Sequence, residues 1–488
     1  MWKEDRGETV SCAVAGRVAH NVGAHSGSVN VRSGLHSVLS RARLSRGRQR
    51  RAAPIVSIGA LAVVASSWRP CAAQAGAGHV DERVTSASDT AQHFALYLPP
   101  GYTRERRWPI VLVLDPRGRA LLGLQLFHDA AARLGWIVMS SYNTLSDGPP
   151  EPNVAAVNAM LASAAGWSID TSRLYLAGFS GTARAALAFA VALRGHVAGV
   201  IAAGGAVGFE LGGPETAFAA DSTFASFGAA GTRDFNYEEV LALGERFRRT
   251  RVPYRVVTFE GPHSWPPAGV CGDALDWLEL RAMLGGLRPP DSTWMRVRLE
   301  AEQTRAVALE RAGRWVEALR LDDAIARDYA RWPGAGVAAE RAAALRASPA
   351  VSRYEAEARR LAARDLEQGL GLPKIFSWAR AQRDSPALEA LVAKLGIAEL
   401  QRTAERGDSL AAASARRLLA RIWVNLAFYE PRAYLAAGSP DRALRMLEAA
   451  VTIGPIEGEG CALLRAALNE ATAATADERV RLAGQCAS

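Results

Sequence analysis

Three residues of the types that carry out nucleophilic catalysis lie in three separate loops of the sequence: Ser180, Asp234 and His263. A serine hydroxyl is a weak nucleophile at neutral pH, so it needs a base within hydrogen-bonding distance and a third group that fixes the tautomer of the base. Histidine and aspartate fill these two roles. The sequence therefore predicts a Ser-His-Asp triad, provided that the fold brings the three loops together.

The segment around the serine, at 178–182, reads Gly-Phe-Ser-Gly-Thr and stands between an apolar run at 174–177 and an alanine-rich stretch. This pattern predicts a strand, a sharp turn and a helix, with Ser180 in a strained backbone conformation at the bend. Small residues must flank such a turn, and Gly178 and Gly181 meet that need. The serine is then expected to project above the edge of a sheet.

A reaction at a carbonyl also needs donors for the oxygen that becomes negative. The Gly181 amide is one predicted donor, because a helix N-terminus carries partial positive charge. The second is expected from the Asp-Pro-Arg-Gly loop at 115–118. Since Pro116 has no N–H, the Arg117 amide is the predicted donor. The Arg117 side chain could instead pair with Asp115.

Asp234 and His263 also have alternative roles. Asp234 has the residue type and the position of a helix N-terminal cap. Glu260, Asp221 and Glu238 are other carboxylates that could orient a histidine. His263, in a Gly-Pro-His-Ser-Trp-Pro-Pro segment, could bind a backbone carbonyl. These alternatives remain open at the level of the sequence.

Apolar runs that alternate with helical patterns indicate the elements that would position these residues. Strands are predicted at 94–102, 109–115, 136–141, 173–179, 197–203, 223–231 and 254–259. The first is expected at a sheet edge, because it ends in Pro-Pro-Gly. The alternation predicts a doubly wound, mainly parallel α/β sheet with helices on both faces. In such a fold a site lies at the carboxyl ends of the strands.

Residues 94–285 resemble the α/β-hydrolase superfamily, in particular its secreted esterase, feruloyl-esterase and polyhydroxybutyrate-depolymerase branch. The resemblance rests on the serine turn, the Asp234 loop, Gly-Pro-His-Ser-Trp at 261–265 and Tyr-Leu-Pro-Pro-Gly-Tyr at 97–102. Thr182 departs from the glycine that is usual in the family, and Asp-Pro stands where many relatives have His-Gly. The resemblance implies a small-molecule ester substrate and an acyl-enzyme intermediate, with no cofactor.

Substrate pockets are expected to be shaped by the loops at 143–153 and 207–224. Tyr142, Asn143 and Trp265 are the predicted lining residues. The sequence has no cluster of Cys and His with the spacing of metal ligands, so no metal is expected.

After residue 288 the composition shifts to Ala, Arg, Leu and Glu, which predicts an α/β-hydrolase domain at 76–288 and an all-α domain at 289–488. The segments at 312–319 and 437–444 both place a glycine turn before Ala-Leu on a second helix. This spacing resembles the tetratricopeptide repeat, so a helical-repeat domain that binds a protein partner is predicted. A plain helical bundle is the alternative.

The first 75 residues are expected to be a disordered leader followed by a signal peptide. An Arg-rich stretch at 41–51, an apolar run at 53–67 and an Ala-x-Ala site at 73–75 predict export to the periplasm or the exterior. An uncleaved membrane anchor is the alternative.

This leader holds 11 Lys and Arg against 3 Asp and Glu, whereas the whole chain has a net charge of +9. The remainder is therefore nearly neutral, which argues against nucleic-acid binding. No later stretch is apolar enough to predict a membrane span.

The cysteines and the overall function leave further alternatives. Cys461 and Cys486 are expected either to form a disulfide bond or to be buried free thiols. Two other functions remain open besides ester hydrolysis. One is a catalytically inactive hydrolase fold that binds partners through its helical half. The other is a serine peptidase, although no run of short propeller-like strands precedes the serine.

Overall fold

The computed structural model describes residues 77–206, 224–382, 386–472 and 474–486. The predicted leader and its cleavage site at 73–75 lie outside the described residues, as do Asp221 and most of the loop at 207–224. The signal peptide therefore stays a prediction.

Eight strands form one sheet in the order β1-β2-β4-β3-β5-β6-β7-β8. In chain order they are β1 (Val80–Thr85), β2 (His93–Tyr97), β3 (Trp108–Leu114), β4 (Ile137–Ser141), β5 (Ile169–Phe179), β6 (Val197–Ala203), β7 (Ala225–Gly231) and β8 (Tyr254–Phe259). β1 pairs antiparallel with β2, and β2 pairs antiparallel with β4. The other neighbouring strands are parallel.

Helices cover both faces of this sheet. They are α1 (Ala120–Leu134), α2 (Glu151–Ala164), α3 (Gly181–Ala192), α4 (Tyr237–Phe247) and α5 (Ala268–Leu284). Every residue of β3 is buried, with Val111 and Val113 in one core and Ile110 and Leu112 in the other. Helices α1 and α5 pack into the first core, and α2, α3 and α4 pack into the second. A strand that is apolar on both sides is typical of a parallel sheet.

The chain continues as helices, which we call the helical region (residues 292–486). They are α6 (Ser292–Arg311), α7 (Trp315–Asp328), α8 (Gly336–Ala347), α9 (Pro349–Ala381), α10 (Leu388–Leu395), α11 (Ile397–Ala404), α12 (Leu410–Val424), α13 (Glu430–Ala436), α14 (Pro440–Val451), α15 (Glu459–Glu470) and α16 (Ala476–Ala483). A π-helical turn, Asn425–Tyr429, joins α12 to α13. The predicted fold class, a mainly parallel α/β sheet followed by an all-α region, is confirmed.

The edge of the sheet differs from the sequence prediction. β1 lies outside β2, so β2 is not an edge strand. The segment Val-Asp-Glu-Arg-Val-Thr of β1 gives no strand signal, because an edge strand is solvated along one side and tolerates charged residues. The Pro-Pro-Gly segment ends β2 at Tyr97 and forms a turn, as expected.

Both glycine turns of the predicted repeats connect two helices. Gly313 lies between α6 and α7 and Gly438 between α13 and α14, each with a positive φ (74° and 66°) that glycine adopts without strain. The helices between these pairs are irregular. For example, α9 has 33 residues and contains Pro373. The tetratricopeptide-like repeat therefore stays a prediction.

Cys461 and Cys486 form a disulfide bond between α15 and the segment after α16, while Cys271 is a buried free thiol. This resolves the alternative that the sequence left open. Among the described residues, no helix combines the length and the apolar character needed to cross a bilayer.

The core of the sheet continues across the predicted domain boundary at 288. Met295, Leu299 and Tyr329 of the helical region belong to the same buried cluster as the side chains beneath α1 and α5. Beside this cluster, the buried Arg255 of β8 binds Glu302 at 2.9 Å and Asp328 at 2.7 Å. The first helices of the helical region are therefore part of the packing of the sheet.

We expect Arg255→Met to lower the free energy of unfolding by about 3–5 kcal/mol, because it removes the buried guanidinium that pairs with both Glu302 and Asp328. Urea unfolding followed by circular dichroism measures the change. Arg296→Met is the matched control, since the Arg296–Glu300 pair is exposed and should contribute less than about 1 kcal/mol. Equal effects of the two variants would contradict this account.

Candidate active site

Ser180 lies at the turn between β5 and α3, with φ 56° and ψ −125°. Among the described non-glycine residues only Asp147 shares a positive φ. The Ser180 amide donates to the Ala203 carbonyl of β6 at 2.8 Å. A Cβ on Gly178 would lie 2.3 Å from the Thr182 carbonyl oxygen, so the turn needs glycine there. The strained strand, turn and helix expected from the sequence are present.

Thr182 explains how this turn works without the usual last glycine. Its buried hydroxyl lies 2.5 Å from the Leu114 carbonyl oxygen and 2.8 Å from the Phe179 carbonyl oxygen. It also accepts a hydrogen bond from the Phe179 amide at 3.2 Å. The start of α3 is thereby tied to the ends of β3 and β5, which a glycine could not do.

The three residues of the predicted triad meet at the carboxyl ends of the strands. His263 Nε2 lies 2.9 Å from Ser180 Oγ, and His263 Nδ1 lies 2.8 Å from Asp234 Oδ1. An ionised carboxylate only accepts hydrogen bonds, so Nδ1 carries the proton and Nε2 is left to accept from the serine. The imidazole packs between the rings of Phe179 and Phe235, with centroids at 4.6 and 4.1 Å.

Asp234 contacts His263 but does not cap α4, whose N-cap residue is Asn236 and which has no side-chain cap. It is fully buried, and the Oδ1 atom that contacts His263 also accepts from the Asn236 amide at 2.7 Å, just before α4. The alternative acids bind elsewhere: Glu260 accepts from Thr232, and Glu238 pairs with Arg417.

Asp115, at the end of β3, organises the neighbouring loop. Its buried carboxylate accepts from the Arg119 side chain at 2.9 and 3.0 Å, from the Arg117 amide at 2.9 Å and from Trp265 Nε1 at 2.8 Å. Burial would raise the pKa of this carboxyl, but these hydrogen bonds, those from Arg119 and Trp265 foremost, lower the pKa below its ordinary value.

The Arg117 amide does not have the place expected of a second oxyanion donor. It is bound to Asp115 Oδ1, because an aspartate readily accepts from the amide two residues later in a turn. The Arg117 side chain does not pair with Asp115 either, but lies 3.8 Å from Glu459. Gly181 does begin α3, as predicted, and the first amides of a helix have no partner within it.

Each of the three predicted pocket residues makes a hydrogen bond within the scaffold. Tyr142 donates to the Glu82 carbonyl at 2.8 Å. Asn143 accepts from the His93 amide at 2.8 Å and so joins the end of β4 to the start of β2. Trp265 is buried and bonded to Asp115. The sequence placed these residues near the strand ends but could not give the directions of their side chains.

Residues that the sequence analysis missed come from the helical region. Arg421 of α12 donates to the Phe235 carbonyl at 2.6 Å, and Tyr429 of the π-helical turn donates to Asp147 Oδ1 at 3.1 Å. Nothing in the sequence pairs these segments with loops 186 and 282 residues earlier. The described residues contain no group of three or more His, Cys, Asp or Glu placed to hold a metal ion.

We expect Thr182→Val to lower the free energy of unfolding by about 1–3 kcal/mol, because the buried Leu114 carbonyl and Phe179 amide lose their partner. Thr182→Ser is the control, since it keeps the hydroxyl. Chemical denaturation measures both variants. If valine is as stable as threonine, the hydroxyl is not what holds the turn.

Comparison with known proteins gives structural similarities alone. No family model and no curated protein matches the sequence. The feruloyl esterase module from Clostridium thermocellum is similar at 16% identity and a TM-score of 0.35, over 41% of this chain and 87% of that one. The fluorophosphonate-binding serine hydrolase F from Staphylococcus aureus has 13% identity and a TM-score of 0.33, over 42% and 99% of the two chains. Est1E from Butyrivibrio proteoclasticus has 12% identity and a TM-score of 0.32, over 40% and 95%.

Proposed function

We propose that this protein is a serine hydrolase of the α/β-hydrolase type that cleaves carboxylic esters through an acyl-enzyme intermediate. The observation that carries the proposal is the continuous hydrogen-bonded chain from Asp234 through His263 to Ser180, with the serine on a strained turn. Such a chain supplies the base and the orienting group that a serine nucleophile needs. The similar solved structures include proteins described as esterases.

In this mechanism Ser180 Oγ attacks the ester carbonyl while His263 Nε2 takes the hydroxyl proton. The tetrahedral oxyanion accepts a hydrogen bond from the Gly181 amide and is stabilised by the N-terminal dipole of α3. His263 then protonates the leaving alkoxide as the bond from carbon to that oxygen breaks. A water molecule, deprotonated by His263, releases the acid and restores Ser180. Asp234 stabilises the imidazolium throughout.

We propose further that the protein is exported. The leader has the order of a signal peptide: basic residues, an apolar run and small residues at 73–75. The Cys461–Cys486 disulfide supports this location, because such bonds persist in oxidising compartments.

A fluorophosphonate probe tests the proposed chemistry, since it forms a covalent bond with an activated serine. We expect wild-type protein to be labelled and Ser180→Ala to be unlabelled. Asp234→Asn should slow ester turnover by about 10³–10⁴-fold, because the histidine loses its correct tautomer. Ser172→Ala is the matched control, because Ser172 lies on β5 and hydrogen-bonds to Asp170.

Labelling, together with turnover of a panel of esters and peptides, separates the alternatives. If wild-type protein is not labelled, the catalytic proposal is wrong and a binding module with an inactive hydrolase fold is the better description. If it is labelled but cleaves peptides in preference to a series of short-chain and long-chain esters, the protein is a serine peptidase.

A further inference from the structure

The helical region contacts the loops that form the proposed active site. The contacts involve the loop that carries Asp234, the loop at 146–147 and the loop after β3. They come from α12, the π-helical turn that directly follows it, and the start of α15. One side of the helical region therefore faces the carboxyl ends of the strands.

The contact with the acid loop is the most extensive of the three. Arg417 and Arg421 lie one turn apart on α12 and so share a face of that helix. Arg421 donates to the Phe235 carbonyl at 2.6 Å, and Arg417 binds Glu238 at 3.1 Å and the Thr232 carbonyl at 3.4 Å. Both ends of the loop that carries Asp234 are thus held by the helical region.

Phe235 contacts both Arg421 and His263, the proposed catalytic base. It follows Asp234 in the chain, and its ring lies 4.1 Å from the imidazole of His263, centroid to centroid. A shift of the Phe235 backbone would therefore move both the acid and the ring that packs against the base. The Arg421 guanidinium lies directly beside Gly369 of α9, since a Cβ on that glycine would lie 2.5 Å from Arg421 Nη1.

The second contact lies beside the serine turn. A Cβ on Gly181 would lie 2.1 Å from Ser146 Oγ, so Ser146 sits directly against the start of α3. Ser146 donates to Asp147 at 2.9 Å, and Asp147 in turn accepts from Tyr429 at 3.1 Å. Tyr429 is the last residue of the π-helical turn, and π-helical turns are frequent at functional sites.

We propose that the helical region is a cap of the Ser180 site, in which Arg421 is a positioning residue for the Asp234 loop and Tyr429 limits the size of the group that binds beside Gly181. This inference rests on the proposed ester hydrolase function. The cap favours esters whose acyl or alcohol group is compact on the Tyr429 side. The Arg117–Glu459 pair, at 3.8 Å and half exposed, adds little to the cap.

Arg421→Met tests the positioning role in the full-length protein. We expect kcat for a short-chain ester to fall by about 10–100-fold while KM changes less than about twofold, because a small displacement of the acid affects the transition state more than substrate binding. Arg421→Lys should restore part of kcat. The matched control is Arg416→Met on the same helix, where the side chain binds the Gly407 carbonyl instead.

Gly369→Ala is a second test of the Arg421 positioning role, in case Arg421→Met fails to fold. Alanine favours the helix over glycine, yet its Cβ displaces the Arg421 guanidinium. We expect kcat to fall several-fold while the midpoint of urea unfolding stays the same or rises. An unchanged kcat in both folded variants would overturn the positioning role, as would a rise in KM alone.

Tyr429→Ala tests the size limit. We expect the ratio of kcat/KM for a bulky ester to that for an acetate ester to rise by at least about tenfold. Tyr354→Ala, on the exposed side of α9, should leave the ratio unchanged. An unchanged ratio in Tyr429→Ala overturns the size limit.

Absence of both ester turnover and fluorophosphonate labelling in the wild type overturns the proposed function, and the cap with it.

Discussion

The backbone of Ser180 is the constraint on which the site depends. A non-glycine residue with φ 56° and ψ −125° is strained by about 1–3 kcal/mol, and the strain persists only where the surroundings over-determine it. Here the Ala203 carbonyl fixes the serine amide, and the Thr182 hydroxyl fixes the start of α3 against β3 and β5. Because Ala203 lies on β6, the parallel pairing of β5 with β6 is needed to hold the Ser180 hydroxyl in its orientation.

Two buried carboxylates position the imidazole that meets this hydroxyl. Asp234 binds the His263 ring directly. Asp115 binds the loop that carries His263, because its carboxylate accepts a hydrogen bond from Trp265, two residues after His263. The two acids differ in their counterions: Asp115 is neutralised by Arg119, whereas the charge of Asp234 is available to an imidazolium. This difference suits Asp115 to holding the loop and, in the proposed mechanism, suits Asp234 to stabilising an imidazolium.

The sequence predicted the parts of this arrangement that depend on local pattern. The strands, the serine turn and the order of Ser180, Asp234 and His263 follow from apolar runs and turn residues. Three features that depend on contacts distant in sequence were missed. β1 has only two apolar residues, Val80 and Val84, the Arg117 amide binds Asp115, and Trp265 points into the core. Helix propensity predicts that α12 forms but cannot say which loop its arginines reach.

The change in amino-acid composition near residue 288 does not divide the protein into two separately packed units. Burying Arg255 is favourable only while Glu302 and Asp328 remain beside it, so β8 and the first helices of the region stabilise each other. The later helices pack against one another from that anchored start, and α12 reaches the Asp234 loop through its own hydrogen bonds from Arg417 and Arg421. Helices of one region therefore contact the sheet at two places: β8, through Arg255, and the loop that carries Asp234, through Arg421.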